Sequence, residues 1–260
     1  RNNIKYVIPF PSKDQNKLGD NCFVLSRSNQ ALEEKVVSYY ANRFGGQHTI
    51  LIKDTQNNKE HFVASLESGL KGKSGRVTSL NYSLSLEDEL SLILSDKNII
   101  VPASSSQATL SKMLATLKIL KSKYPEKDLT IFGYPDWQTY AQYESDLKSF
   151  GATIYSSFFL DESTYRVKNF TSKYEKWYGA PMMRIFPRYG VLGYDTGIYF
   201  LTALTRYGFD FEKKIQNADI QTLQTAIQFV QSKSGGYYLN DGLYLVEYTD
   251  GGINKEKYTK

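Results

Sequence analysis

The segment NIIVPASSSQATLSKMLATLKILKSKYPEKDLTIFGYPDW, residues 98–137, sets the pattern on which the fold prediction rests. An apolar run ends at Pro102 and is followed by a polar loop, an amphipathic stretch over residues 108–123 and a second apolar run at residues 129–133. Short apolar runs bounded by turn residues predict buried strands, and apolar residues at helical spacing predict the helix between them. The segment therefore predicts one strand–helix–strand unit.

The same alternation extends on both sides of this unit. Strands alternating with helices predict a parallel sheet with helices on both faces. Right-handed crossovers bring the carboxyl ends of all its strands to one edge, where ligands bind in open α/β sheets. Further predicted strands cover residues 49–53 and 77–82, and further predicted helices cover residues 30–44, 60–70, 86–94 and 143–149.

Three polar loops, residues 55–59, 103–107 and 134–137, are expected to meet at this edge. Hydroxyls and backbone N–H groups of Ser104, Ser105 and Ser106 suit a carboxylate or a phosphate, although serines equally suit the N-cap of the following helix. Asp136 can pair with an ammonium group and Trp137 can stack on an apolar ligand group, whereas an Asp after Pro is also common in turns. The loops form the predicted ligand site.

Composition excludes several classes of protein. The chain has 260 residues, 41% apolar and 23% charged, as in an ordinary soluble globular protein. Its net charge of +5 comes from lysines spread along the sequence, without the dense arginine patch typical of nucleic-acid binding. No run approaches the ~20 apolar residues of a membrane span. Neither a nucleic-acid partner nor a membrane-spanning segment is predicted.

Residues for metal or covalent chemistry are scarce. Cys22 is the one cysteine, and His48 and His61, both expected at the surface, are the two histidines. A zinc site normally needs three or four such ligands, and an intrachain disulfide needs two cysteines. No catalytic constellation, phosphate loop or dinucleotide fingerprint occurs. The sequence predicts no metal, no cofactor and no enzymatic activity.

Residues 158–235 are predicted to be mainly helical. A helix over residues 170–178 ends at Gly179, and a second helix carries an apolar stripe that includes Val191, Leu201 and Leu204. Asp195 lies inside this second helix, so its side chain is expected to contact either a ligand or a hydrogen-bond partner that fixes packing. A further helix over residues 220–230 and a hairpin around Asn240-Asp241-Gly242 complete the prediction.

The order of these elements resembles the type I periplasmic substrate-binding proteins, the group that includes branched-chain amino-acid-binding proteins. Segments along nearly the whole chain carry the resemblance. In chain order they are YVIPF at residues 6–10, NQALEEKVVSYYANRFGGQHTILIKDTQ at residues 29–56, NIIVPASSS, LTIFGYPDW, FFLDESTYRVKNFTSKYEKWYGAPMM at residues 158–183, the Gly193-Tyr194-Asp195 helix, and SGGYYLNDGLYLVEYTDGG at residues 234–252.

The resemblance implies an α/β protein of two lobes, each a parallel sheet flanked by helices, with one lobe incomplete. The implied division is residues 1–20 as the end of the first lobe, 21–157 as the second lobe, 158–235 as a helical return to the first lobe, and 236–260 as a hairpin back on the second lobe. The opening half of the first lobe has no counterpart, so the chain is expected to be a fragment or to have that lobe completed by another segment. Matching positions add Asn57 and Tyr134 to Ser104, Ser105 and Asp136 as implied ligand-binding residues.

The implied function is that of a non-enzymatic binding protein that closes on a small polar, amino-acid-like ligand. Such a protein serves ABC-type uptake or sensing with a membrane permease, in the bacterial periplasm or cell envelope, with a lipid anchor as an option in a segment outside this sequence. The alternative is an envelope regulatory module with a vestigial cleft, associated with peptidoglycan or a cell-wall synthase. Gln56-Asn57-Asn58 stands where amino-acid binders often have Tyr-Gly, which favours this alternative.

Overall fold

A computed structural model of the chain describes residues 4–10, 18–26, 29–54, 57–232 and 236–258. The helices are α1 (Asn29–Phe44), α2 (Glu60–Gly69), α3 (Leu86–Ile93), α4 (Gln107–Lys123), α5 (Glu144–Ser149), α6 (Tyr165–Tyr178) and α7 (Tyr189–Tyr207). The strands are β1 (Tyr6–Ile8), β2 (Cys22–Val24), β3 (His48–Lys53), β4 (Val77–Asn81), β5 (Lys97–Pro102), β6 (Asp128–Gly133), β7 (Thr153–Ser156), β8 (Phe229–Gln231), β9 (Tyr238–Asn240), β10 (Leu243–Thr249) and β11 (Gly252–Tyr258).

The chain divides into two compact units. The first comprises the described residues of Arg1–Leu32, Ser156–Tyr244 and Lys255–Lys260. The second comprises those of Glu33–Tyr155 and Leu245–Asn254. The lobe boundaries expected from the sequence stay a prediction.

The second unit is built on a seven-stranded sheet in the order β11-β10-β7-β6-β5-β3-β4. The pairs β3–β4, β3–β5, β5–β6 and β6–β7 are all parallel. In β5, every residue from Asn98 to Pro102 is buried, which is why the apolar run NIIVP forms a central strand. The predicted parallel sheet flanked by helices is confirmed.

Helix α4 covers one face of this sheet. Ser106 caps it by accepting a hydrogen bond from the Thr109 nitrogen at 3.2 Å, and Lys121 and Lys123 lie in its last turn, near the negative end of the helix dipole. Its inward face, at helical spacing, consists of Leu110, Met113, Leu114, Leu117 and Leu120. The lysine-rich face is paired rather than free, since Lys118 pairs with Asp146 at 2.8 Å and Lys123 pairs with Glu87.

The first unit contains a four-stranded sheet in the order β1-β2-β9-β8, in which only β8–β9 is antiparallel. Its core centres on Phe23, whose ring stacks on Tyr238 at 4.9 Å and on Phe211 at 5.5 Å. Phe229 packs edge-on against Phe23 at 5.3 Å. This aromatic cluster joins strand β2 to β8, β9 and α7, because Tyr199 of α7 contacts Phe229 at 5.7 Å.

Helices α6 and α7 leave much apolar surface open to solvent. Helix α6 begins at a Thr164 cap and ends at Gly179 in the left-handed conformation, and Val167 is the buried residue within it. Exposed large side chains include Trp177, with 83% of its surface accessible, and Leu201, with 63%. The apolar stripe predicted for the second of these helices lies on α7, where Val191 is buried and Leu201 faces solvent.

Three predictions about local structure are wrong. Residues 220–230 do not form a helix; an irregular segment precedes strand β8. Asn240-Asp241-Gly242 does not close a hairpin, because β9 and β10 lie in different sheets. His48 is buried rather than at the surface, with its ring nitrogens 3.1 Å from Asn98 Oδ1 and 3.0 Å from Thr78 Oγ1.

Candidate functional site

The carboxyl edge of the second unit's sheet brings three loops together, as the strand order requires. The loop after β3 joins the loop after β5 through the Lys59 nitrogen, which donates to the Ala103 carbonyl at 2.9 Å. The loop after β6 is joined to the loop after β5 by Trp137 Nε1, which donates to the Ser105 carbonyl at 3.2 Å. These contacts fix the three loops relative to one another and define the candidate site.

Asparagines organise the first of these loops. Asn57 Oδ1 accepts a hydrogen bond from the Asp54 nitrogen at 2.7 Å, which closes a turn at the end of β3. Asn58 accepts from the Ser105 nitrogen at 2.9 Å and donates to Ser105 Oγ at 3.2 Å. Thr55 and Gln56 lie outside the described residues. Asn57 is half-buried at this edge, and its side-chain oxygen serves the turn.

The serines after β5 use their polar atoms within the protein. Ser104 is fully buried and its hydroxyl accepts from the Ser106 nitrogen at 3.2 Å. Ser106 caps α4 and donates its hydroxyl hydrogen to Thr109 Oγ1 at 3.0 Å. Ser105 is buried and is held by Asn58. The capping role considered from the sequence is therefore present at Ser106, while ligand binding by all three serines stays a prediction.

The aromatic residues after β6 also face inward. Tyr134 is fully buried, and its hydroxyl donates to the Pro102 carbonyl at 2.5 Å. Burial raises the pKa of Tyr134 well above its usual range, and the nearby charge of Glu33 adds to this effect. Trp137 is buried against Tyr134, with ring centroids 5.9 Å apart. Both side chains therefore pack under the loops at the carboxyl edge and are not exposed to solvent.

Asp136 is the exposed member of the predicted site. Among the described residues, its carboxylate has no hydrogen-bond or ion-pair partner. Burial raises the pKa of the neighbouring Tyr140, and the negative charge of Asp136 acts in the same direction. Asp136 therefore offers an uncompensated negative charge at the carboxyl edge.

The structure adds three residues that sequence reasoning missed: Glu33, Lys59 and Tyr155. Lys59 Nζ pairs with Glu33 Oε1 at 2.9 Å, and the Tyr155 hydroxyl donates to the same oxygen at 3.3 Å. Glu33 lies in α1 and Tyr155 in β7, far from Lys59 in sequence. Lys59 falls inside a predicted site loop, but no local motif links it to the other two residues.

Asp54 and Thr109 form a further polar contact at this edge, because Thr109 Oγ1 donates to Asp54 Oδ2 at 2.7 Å.

Among the described residues, no group of three or more histidine, cysteine or acidic side chains is placed to hold a metal ion. Within the same ranges, no helix has the length and apolar character needed to cross a membrane.

Comparison with sequence families gives no match: neither a protein-family model nor a curated protein sequence matches this chain. Solved structures do match in fold. A branched-chain amino-acid ABC transporter periplasmic ligand-binding protein from Burkholderia xenovorans superposes with a TM-score of 0.55 at 13% identity, covering 100% of this chain and 77% of its own. An ABC transporter substrate-binding protein from Desulfitobacterium hafniense superposes with a TM-score of 0.52 at 16% sequence identity. The superposition covers 98% of this chain and 74% of that protein.

A third structure, the branched-chain amino-acid transporter substrate-binding protein LivJ from Streptococcus pneumoniae in complex with isoleucine, gives a TM-score of 0.52 at 12% identity. The superposition covers 99% of this chain and 73% of LivJ. About a quarter of each of these structures thus has no counterpart in this chain. The chain has the type I periplasmic-binding-protein fold, with one lobe incomplete.

Proposed function

We propose that this protein is a non-enzymatic binding protein that takes a small polar ligand, of the size and chemistry of an amino acid, at the carboxyl edge of the second unit's sheet. The observation that carries the proposal is the exposed, unpaired carboxylate of Asp136 at an edge where open α/β sheets bind ligands. The names of the similar structures support the same ligand class.

In this proposal, Asp136 attracts the ammonium group of the ligand. Charge-assisted hydrogen bonds from an ammonium group to a carboxylate are among the stronger polar contacts available to a small ligand. Half-buried Asn57 and Ser106 flank the edge and offer polar contacts as the loops adjust. The protein would then act in the bacterial periplasm or cell envelope and deliver its ligand to an ABC permease, in uptake or sensing.

A thermal-shift screen of the full chain against single amino acids, with isothermal titration of any hit, tests this function. Binding at one hundred times Kd is expected to stabilise the protein by about 2.7 kcal/mol. Asp136→Asn removes the charge with little change of shape and should weaken binding about tenfold or more. The matched control is Asp128→Asn, at the exposed first residue of the preceding strand β6 and at its opposite end.

The second candidate is an envelope interaction module in which the ligand site is vestigial. One observation favours it: Ser105, Tyr134 and Trp137 direct their polar atoms into the protein rather than outward. Muropeptides and sugars therefore belong in the same screen, and a cell-wall synthase in a pull-down. If no amino acid raises the Tm of the protein and muropeptides do raise it, the first proposal is overturned and the second is supported.

A further inference from the structure

At the carboxyl edge, Lys59 places its ammonium group against Glu33 and the Tyr134 ring, and the Tyr155 hydroxyl binds the same Glu33 oxygen. We call Glu33, Tyr134 and Tyr155 together the ammonium cage. The Lys59 Nζ lies 2.9 Å from Glu33 Oε1 and 5.3 Å from the centroid of the Tyr134 ring. Side chains of Lys59 and Glu33 are each only 14% exposed. A carboxylate and an aromatic face, both largely removed from water, are the groups that bind a cation best.

The aromatic walls of the cage are fixed by the core. Tyr134 and Tyr155 lie edge to face with centroids 6.2 Å apart, and Phe62 contacts each of them at 5.6 Å. Burial, with the charge of Glu33 added, raises the pKa of both tyrosines well above the usual range. The rings are therefore neutral at physiological pH, and the Tyr155 hydroxyl donates to the Glu33 carboxylate at 3.3 Å.

Only the side chain of Lys59 contributes to the cage, because its backbone groups are hydrogen-bonded elsewhere. Its backbone nitrogen is held by the Ala103 carbonyl at 2.9 Å, and its carbonyl accepts from the Val63 nitrogen at 3.0 Å. The lysine stem is flexible, whereas Glu33, Tyr134 and Tyr155 belong to regular elements or to buried positions directly after them. Loss of the lysine side chain would thus leave the three walls standing around an ammonium-sized space.

We propose that Glu33, Tyr134 and Tyr155 form a binding site for a primary ammonium group, and that Lys59 is its internal occupant. Lys59 neutralises Glu33 and closes the site to any second ammonium group. The consequence for ligand binding rests on the function proposed above. Because Lys59 already occupies the site at Glu33, the ammonium group of an amino-acid ligand must bind at Asp136. Lys59 is accordingly a residue that determines specificity at this edge.

Chemical rescue tests the cage without any natural ligand. Lys59→Ala in the full chain should lower Tm, because it leaves the Glu33 carboxylate buried and unpaired. Methylammonium or ethylammonium chloride at ~50 mM should then raise the Tm of Lys59→Ala by about 2 °C or more beyond its effect on the wild type. Sodium chloride at the same concentration corrects for ionic strength.

Two variants make the rescue specific. In Lys59→Met the apolar side chain fills the space, and in Glu33→Gln/Lys59→Ala the negative charge is gone, so neither should respond to the alkylammonium ion. An equal rise in all three variants, or no rise in Lys59→Ala, would overturn the proposal. Because the probe is the alkylammonium ion alone, failure to find an amino-acid ligand for the wild type leaves this result unaffected.

The wild-type protein provides a second measurement that needs no destabilised variant. The Lys59 Hε protons should be shifted upfield by the ring current of Tyr134, and they are assigned by their disappearance in Lys59→Arg. The hydrogen-bonded ammonium protons of Lys59 should also exchange slowly enough to be seen beside Glu33. Hε shifts at the values of a solvent-exposed lysine would show that Lys59 does not occupy the cage and would overturn the proposal.

Discussion

The carboxylate of Asp195, inside helix α7, lies 2.8 Å from the backbone nitrogen of Gln224. The same carboxylate accepts from the Leu223 nitrogen at 2.7 Å and from the Thr225 nitrogen at 2.7 Å, so one buried side chain satisfies three successive N–H groups. Burial raises the pKa of Asp195, and these three bonds act in the opposite direction. Of the two roles considered from the sequence, the structure shows the hydrogen-bond partner that fixes packing.

Asp195→Asn is expected to destabilise the protein by about 2–3 kcal/mol. An amide keeps one acceptor oxygen but turns a donor toward the remaining N–H, which is then buried without a partner. Urea unfolding followed by circular dichroism measures the loss. Asp210→Asn, at an exposed position just after α7, is the matched control. A loss below about 0.5 kcal/mol for Asp195→Asn would contradict this account of the segment.

Asp195 also explains why the predicted helix over residues 220–230 is absent. The spacing of Leu223, Ile227 and Val230 is helical, but the N–H groups of residues 223–225 bond to Asp195 instead of to carbonyls one turn back. Thr222 closes the segment by donating to the Thr225 carbonyl at 2.5 Å. A tertiary contact thus overrides local periodicity, and no single-sequence pattern reveals which Asp reaches which backbone.

The alternating strands and helices of the second unit were predictable because each buried strand is a continuous apolar run, such as NIIVP in β5. The loops at the carboxyl edge followed from strand order alone. Which side chains in those loops turn inward did not follow, because burial of Ser104 and Tyr134 depends on neighbouring elements. Glu33 reaches the edge from α1, a contact that sequence spacing cannot indicate.

His48 gives the protein an acid-sensitive point in its core. Asn98 donates its amide to the Ser95 carbonyl at 2.8 Å and accepts from the Ser95 nitrogen at 2.8 Å, so its Oδ1 is oriented as an acceptor. His48 Nδ1 must therefore carry the hydrogen, and Nε2 accepts from the Thr78 hydroxyl. Burial lowers the pKa of His48, against the effect of the Asn98 hydrogen bond.

With its folded pKa below the unfolded value of about 6.5, His48 binds fewer protons in the folded state than in the unfolded one. Stability should therefore fall as pH drops below about 6.5 and level off below the folded pKa. Tm measured from pH 7.5 to pH 5 should fall less for His48→Gln than for the wild type. His61→Gln, which changes an exposed histidine in α2, should keep the wild-type slope. Equal slopes for both variants would exclude His48 as the cause.

Gly193 and Gly197 lie in the interior of helix α7, where glycine costs stability relative to alanine. Among the described residues, a Cβ at either position meets no atom within 4 Å. Gly193→Ala and Gly197→Ala should each stabilise the chain by about 0.5–1 kcal/mol in urea unfolding. Gly190→Ala is the matched control in the same helix, because its Cβ meets Tyr174 Cε2 at 3.1 Å and should give less gain. Destabilisation by either substitution would contradict the open space found at these two positions.

Gly133, the last residue of β6, makes room for the Trp137 ring at the candidate site. A Cβ there would overlap three ring carbons of Trp137. Gly133→Ala should therefore displace the indole, break its hydrogen bond to the Ser105 carbonyl and destabilise the protein by about 1–3 kcal/mol. The second tryptophan, Trp177, is exposed, so Trp177→Phe provides a background in which fluorescence reports Trp137 alone.

In that background, emission should shift to longer wavelength in Gly133→Ala as the indole leaves its buried position. Gly46→Ala serves as the control, because the nearest atom to its Cβ is Ser74 Oγ at 3.5 Å, an ordinary contact distance. It should leave both emission and stability close to those of the parent. Unchanged emission in Gly133→Ala would show that Trp137 does not pack over Gly133. The loops after β5 and β6 would then be joined differently at this point, since Trp137 supplies one of the side-chain hydrogen bonds between them.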